Sequence, residues 1–99
     1  MICEIANLTI AGQQAEAFEA AVAQAAPYFQ QAKGCRSFQL QRSIEHPESY
    51  QLVVGWDSVD DHMIGFRESE GFARWRELAG PFFLAPPVVG HVETVINAF

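Results

Sequence analysis

"CRSFQLQRSIEHPESYQLVVGWD", residues 35–57, holds two runs of strand pattern around one turn. In the first run Arg36, Phe38, Leu40 and Arg42 alternate with Cys35, Ser37, Gln39 and Gln41, the period of two expected of a half-buried strand. Residues 45–49, EHPES, are turn chemistry around a central proline. Residues 50–57, YQLVVGWD, carry the β-branched and aromatic side chains of a return strand. The stretch is read as an antiparallel hairpin in the middle of the chain.

On the N-terminal side of the hairpin, residues 13–33 are rich in Ala, Gln and Glu and predict a helix. Phe18, Val22, Ala25 and Phe29 recur on one face of it. Pro27 removes one helical hydrogen bond and is expected to kink the last turns, and Gly34 suits the helix end. Before that helix, residues 2–9 form a strand with Ile2, Ala6 and Leu8 on one side and Cys3 and Ile5 on the other, and Gly12 breaks it. On the C-terminal side, Asp57 or Ser58 caps a helical segment over about 59–78, broken near Ser69–Gly71. Residues 80–87, GPFFLAPP, form a loop, and residues 88–99 a closing strand.

The resulting order, βαββαβ within 99 residues, predicts one domain over 1–99 with a ferredoxin-like α+β sandwich: a four-stranded antiparallel sheet with both helical segments on one face. The strands carry apolar side chains on both sides: Val53, Val89 and Val95 share strands with Leu52, Val54 and Val92. Helices cover only one face, so a second copy of the sheet is the economical cover for the other, giving a homodimeric α+β barrel. The composition agrees, with 49% hydrophobic and only 18% charged residues. A chain this short buries roughly two-thirds of its extended surface.

A net charge of −6 argues against nucleic acid or an anionic membrane as partner, since both call for a basic footprint. No apolar run approaches the length of a membrane span, and the first residues lack the basic, then apolar, pattern of a signal peptide; a cytoplasmic setting is expected. Cys3 and Cys35 fit neither a disulfide framework nor a metal-ligand spacing and are read as buried free thiols. No phosphate-binding glycine loop, zinc motif or nucleophile elbow occurs, so no metal or cofactor is expected.

Candidate chemistry concentrates in residues 62–76, HMIGFRESEGFARWR, which hold half of the six Lys and Arg residues among aromatic side chains. On an α-helix His62 and Phe66 share a face, with Met63 and Arg67 on the neighbouring one. Phe72, Trp75 and Ala79 share a later stripe flanked by Arg74 and Arg76, so aromatics point inward and arginines lie at the rim. His62 follows Asp60 and Asp61 in a first helical turn, where a cationic imidazole is disfavoured; it is either a capping residue or a neutral base on an inward face. Arg67 either stabilises an oxyanion or pairs with Glu68 or Glu70. Trp56 ends a strand beside a helix start, a place for a pocket wall or for the core. Asn7, the lone amide of its strand, is either a structural bridge or a substrate contact. His91 faces either the barrel interior or the helix layer, and His46 lies in a solvated turn.

Residues 50–95 resemble the antibiotic biosynthesis monooxygenase domain family: a strand ending in Trp56-Asp57, a helix, a Ser-x-x-Phe-x-x-Trp segment (Ser69, Phe72, Trp75), a proline-containing loop and a closing strand. With the first strand and helix the likeness spans nearly the whole chain. The resemblance implies a ferredoxin-like domain that dimerises through its sheet. It also implies a cofactor-independent monooxygenase that oxidises a small phenol or quinol with dioxygen. Carried over, Trp56 matches the strand-end tryptophan, Asn7 lies near a first-strand asparagine, and His62, Arg67 and Trp75 are the candidates on the helical segment. The site expected from all these residues takes His62, Arg67 and Asn7 as catalytic, with His62 as base and Arg67 as oxyanion partner, and Trp56, Phe66, Trp75 and His91 as substrate-binding. The alternative is a dimeric module that binds a small molecule or serves regulation without turnover. A haem-degrading branch of the same fold calls for a strand asparagine, a helical tryptophan and a downstream iron-ligating histidine. Phe66 stands at that tryptophan and Trp75 or Arg76 near that histidine, and no histidine occurs between 63 and 90, so haem binding is not expected.

Overall fold

The alternation in the strand segments is resolved into two faces by the sheet. The computed structural model describes residues 1–99. The strands are β1 (Ile2–Thr9), β2 (Cys35–Arg42), β3 (Ser49–Trp56) and β4 (Val88–Glu93), and the α-helices are α1 (Ala15–Gln30) and α2 (Glu70–Ala79). The sheet order is β2-β3-β1-β4 with every neighbouring pair antiparallel, the ferredoxin-like βαββαβ arrangement. Ala6 and Leu8 of β1 and Tyr50, Leu52, Val54 and Trp56 of β3 point to one face. There they meet Phe18, Val22, Ala25 and Phe29 of α1 and Trp75 and Ala79 of α2, and these residues make the core. The helical stripe read from the sequence is thus the stripe that packs on the sheet. No helix is long and apolar enough to cross a membrane.

The opposite face of the sheet has no helix on it. Cys3 and Ile5 of β1 and Val53 of β3 are half-buried there, while Val88 and Val92 of β4 are 68% and 55% exposed. Cys3 and Cys35 are free but half-buried rather than buried, because one lies on that open face and the other starts an edge strand.

Several boundaries differ from the sequence expectation. Residues 12–14 are a 3-10 turn rather than the start of α1, and α1 ends at Gln30 after accommodating Pro27. Gly34 lies beyond the helix cap at Gln31, in the tight turn into β2, with φ of 81°. The side chain of Asp61 packs where a Cβ on Gly34 would stand. The closing strand is shorter than 88–99: the β1–β4 ladder ends at the Ile2–Glu93 pair, and residues 94–99 run on unpaired. The loop before β4 is pinned to the end of β1 by an Ile10–Phe83 bridge and a Leu84 N–H bond to Thr9 O.

The largest local surprise is the first half of the second helical segment. Ser58 caps its start, its Oγ accepting from the Asp61 N–H at 3.1 Å. Residues Asp61–Phe66 then form a π-helical turn. The break falls at Arg67–Ser69, and Ser69 caps α2 by accepting from the Phe72 N–H.

Candidate functional site

The π-helical turn decides which side chains meet. Its wider ring is closed by the Arg67 N–H donating to His62 O at 3.1 Å, so residues five apart stack on one side. On an α-helix Arg67 would fall on the neighbouring face from His62; here both address the same side of the sheet, and both line one cleft. Isolated π-turns of this kind recur at functional sites.

His62 is 4% exposed and lies flat against Trp56, ring centroids 5.3 Å apart and planes 17° apart. Below it, Glu4 of β1 points to the helix side between Ile2 and Ala6 and is 5% exposed. The Trp56 Nε1–H donates to Glu4 Oε1 at 3.1 Å, and His62 Nε2 lies 3.2 Å from the same oxygen. Strand register places His91 directly across from Glu4 on β4. Cross-strand partners share a face, so His91 faces the helix layer, and its Nε2 is 2.8 Å from His62 Nδ1. Four side chains from three strands and the π-turn thus stand in one row, Trp56, Glu4, His62 and His91, hydrogen-bonded at the Trp56–Glu4 and His62–His91 steps and in contact at 3.2 Å between Glu4 and His62.

Burial pushes the Glu4 carboxyl up to about 7, against the opposing pull of the Trp56 N–H and the Arg67 charge. Burial pushes His62 down to about 4, aided by His91 and Arg67. Near neutral pH His62 is therefore a neutral imidazole, and its 3.2 Å contact with Glu4 is not an ion pair. Glu4 Oε1 accepts from the Trp56 Nε1–H, Oε2 takes no hydrogen bond from the protein, and Glu4 and His62 both line the cleft.

That cleft, about 940 Å³, lies between the sheet, α2 and the 80–87 loop. Leu8, Leu52, Phe72, Trp75, Phe83 and Val89 supply apolar walls, and Glu4, His62, Arg67 and Arg76 the polar groups. Three of the arginines elsewhere are committed: Arg36 to Asp57, Arg42 to Glu19 and Pro47 O, Arg74 to Glu70 and Glu77. Arg67 and Arg76 have no carboxylate partner; their guanidiniums flank the Phe72 ring at 5.5 and 6.0 Å from its centroid. Arg67 pairs with neither Glu68 nor Glu70, and Glu70 is taken by Arg74. A second hollow of about 980 Å³, between the end of α1 and the outer side of the π-turn, is an open groove that brings no such buried row together.

Of the residues singled out in the sequence, the structure brings together His62, Arg67, Trp56, Trp75 and His91. Trp75 lines the cleft, Trp56 is fully buried and acts on it through Glu4, and His91 stands behind His62. Phe66 packs in the core against Phe29, Trp56 and Phe72 and does not line the cleft. Asn7 is not brought to the others: strand alternation turns it to the open face, where its Oδ1 accepts from Gln51 Nε2 at 3.0 Å. His46 is exposed in its turn. Glu4 and Arg76 are the additions. Glu4 had a signal in the sequence, a charged residue in step with Ala6 and Leu8 on the apolar side of a strand.

Fold and cleft together define a small α+β domain with a cleft of apolar walls and a few ionisable groups between its sheet and its second helix. The chain belongs to the antibiotic biosynthesis monooxygenase family, whose sequence model matches residues 1–78. It is 35% identical to YczJ of Bacillus subtilis over 95 residues, 96% of this chain and all of the other. A crystal structure from Bordetella bronchiseptica that carries the family's description superposes with a TM-score of 0.93 at 47% identity, covering 96% of this chain and 97% of that one. SnoaB, a cofactor-independent oxygenase from Streptomyces nogalater, shares the fold with a TM-score of 0.81 at 20% identity over 98% of this chain and 95% of its own.

Proposed function

We propose that this chain is a cofactor-independent monooxygenase acting on a small phenol or quinol held between the sheet and α2. The observation that carries the proposal is the cleft: aromatic and aliphatic walls over a floor of Glu4 and His62, with unpaired Arg67 and Arg76 at its rim. A flat ring fits such walls, and two free guanidiniums in an acidic chain suit a ligand that becomes anionic. The relationship to SnoaB supports the same class of chemistry.

The reaction needs little from the protein beyond placement and charge. A phenolic substrate loses its O–H proton to the Glu4–His62 set, and Arg67 holds the resulting oxyanion. The anion delivers electrons to dioxygen, and a C–O bond forms at a ring carbon. Cleavage of the O–O bond with loss of the hydrogen on that carbon gives the quinone and one water. The substrate supplies all four electrons, so no external reductant enters. Trp75 and Phe72 orient the ring and keep water from it.

The working unit proposed is a homodimer in which a second copy covers the open sheet face. Val88, Val92, Val95 and Ile96 are 55–84% exposed in the single chain and lie on β4 and just after it, which supports a partner there. Asn7 falls on that face and is assigned to the interface rather than to the chemistry.

Oxygen consumption with a panel of anthrols and quinols tests the reading. Wild-type protein is expected to consume dioxygen and yield quinone, and His62→Ala and Arg67→Ala are each expected to lower turnover by about a hundredfold. Recovery of every panel member unchanged, or full turnover in His62→Ala, would overturn it.

A further inference from the structure

We infer that the ligand of the cleft carries a second, permanent negative charge, a carboxylate set away from its hydroxyl, and that Arg76 is the residue that selects it. The inference rests on the proposal that the cleft holds a hydroxylated ring, and it adds to that ring the substituent that the remaining cation of the cleft holds.

Charge is spread unevenly over this acidic chain. The formal net charge is −6, yet the cleft sets Arg67 and Arg76 against a single acidic side chain, Glu4. Burial raises Glu4 to about 7, so near neutral pH it carries only part of a negative charge. The cleft is therefore net positive. The groove on the outer side of the π-turn is the reverse, with Lys33 and Arg74 outnumbered by Asp60, Asp61 and Glu70. An anion is drawn to the cleft and not to the groove.

The pattern of α2 explains why Arg76 stays free. The residues three and four places from it are Phe72, Ala73, Ala79 and Gly80, so no acid lies within its reach along the helix. The two acids of α2, Glu70 and Glu77, both go to Arg74. Arg76 rests over the Phe72 ring and pairs with nothing else in the chain. Arg67 makes only a long contact, from Nη1 to Met63 Sδ at 4.0 Å, besides its place over the same ring.

The two cations hold different places. Arg67 follows the π-turn, and its charge acts on both Glu4 and His62. Arg76 lies in the last turn of α2, one turn before Gly80, where the 80–87 loop begins. One oxyanion at the floor is met by Arg67, and Arg76 is left for the far end of the ring. A carboxylate there takes two parallel N–H bonds from the planar guanidinium, which a neutral substituent cannot match. Arg76 also suits the negative end of α2, a role that bears on stability and not on the choice of ligand.

The test compares 6-hydroxy-2-naphthoic acid with its carboxamide, bound to the full chain and followed by calorimetry without dioxygen at pH 7. Wild type is expected to bind the acid about tenfold more tightly than the amide. Raised ionic strength should shrink that preference and leave amide binding unchanged. Arg76→Gln should bring the two affinities together by weakening the acid alone, and Arg76→Lys should restore part of the difference. Arg74→Gln, which removes a charge of the same helix committed to Glu70 and Glu77, should keep the preference. Equal affinities in wild type, a preference that persists in Arg76→Gln, or one lost equally in Arg74→Gln would overturn the inference. Selective binding of the acid by a protein that consumes no dioxygen with any phenol or quinol would fault the oxygenase reading and leave the carboxylate site standing. Dioxygen consumption with acid and amide bound alike would do the opposite.

Discussion

Glu4 and His62 are opposed titrating groups in one buried contact, and their effects on stability run in opposite directions. Glu4 is raised from 4.5 to about 7 in the fold. The folded state then holds a proton that the unfolded chain releases, so stability is full below about pH 4.5 and is lost as pH rises through about 7. His62 is lowered from 6.5 to about 4, so its contribution is full above 6.5 and is lost as pH falls through about 4. Between these limits the two slopes nearly cancel and stability is expected to be flat with pH. Glu4→Gln removes the first slope alone. The change from 4.5 to about 7 corresponds to roughly 3 kcal/mol. Glu4→Gln should therefore gain stability over wild type by up to that amount on going from about pH 5 to about pH 8, measured by urea unfolding at each pH. An equal difference at both would contradict the buried carboxyl. Trp56→Phe deletes the N–H that favours the ionised form and should raise the Glu4 titration further, followed by the carboxyl carbon-13 shift.

At the scale of elements, the π-turn and the segment around it hold the site in register. Ser69 both accepts from the Phe72 N–H to cap α2 and donates to Phe66 O at 2.6 Å, closing the π-turn behind it. Ser69→Ala should cost about 1 kcal/mol in chemical denaturation. Gly34→Ala should cost more than about 1 kcal/mol, because φ is positive there and Asp61 occupies the space of the new methyl group. The strands and α1 were legible because their side-chain periods are local: the alternation around Phe38 and Leu40, and the Phe18–Phe29 stripe, record burial directly. The π-turn was not, because a shift from four-residue to five-residue hydrogen bonding leaves no mark in the spacing of His62, Phe66 and Arg67. The facing of His91 was hidden for a different reason. It follows from the register of two strands nearly ninety residues apart, in which Glu4 meets His91. Glu4 itself was visible in the alternation of β1, and its significance came only with the Trp56 and His62 contacts.

For the molecule as a whole, one sheet face and the residues after β4 are left uncovered, and a cleft lies on the other face. Solution scattering is expected to give a homodimer, and Val53→Glu, which places a charge at the centre of the open face beside Ile5, is expected to give a folded single chain. A monomeric wild type would contradict the barrel. The central claim, that the cleft oxidises a bound phenol with dioxygen alone, is tested most directly by turnover under isotopically heavy dioxygen in metal-chelated, flavin-free buffer. The prediction is a quinone carrying one heavy oxygen atom per molecule, with the second heavy atom in water. Product without the label, or a phenol and quinol panel recovered intact, would contradict it.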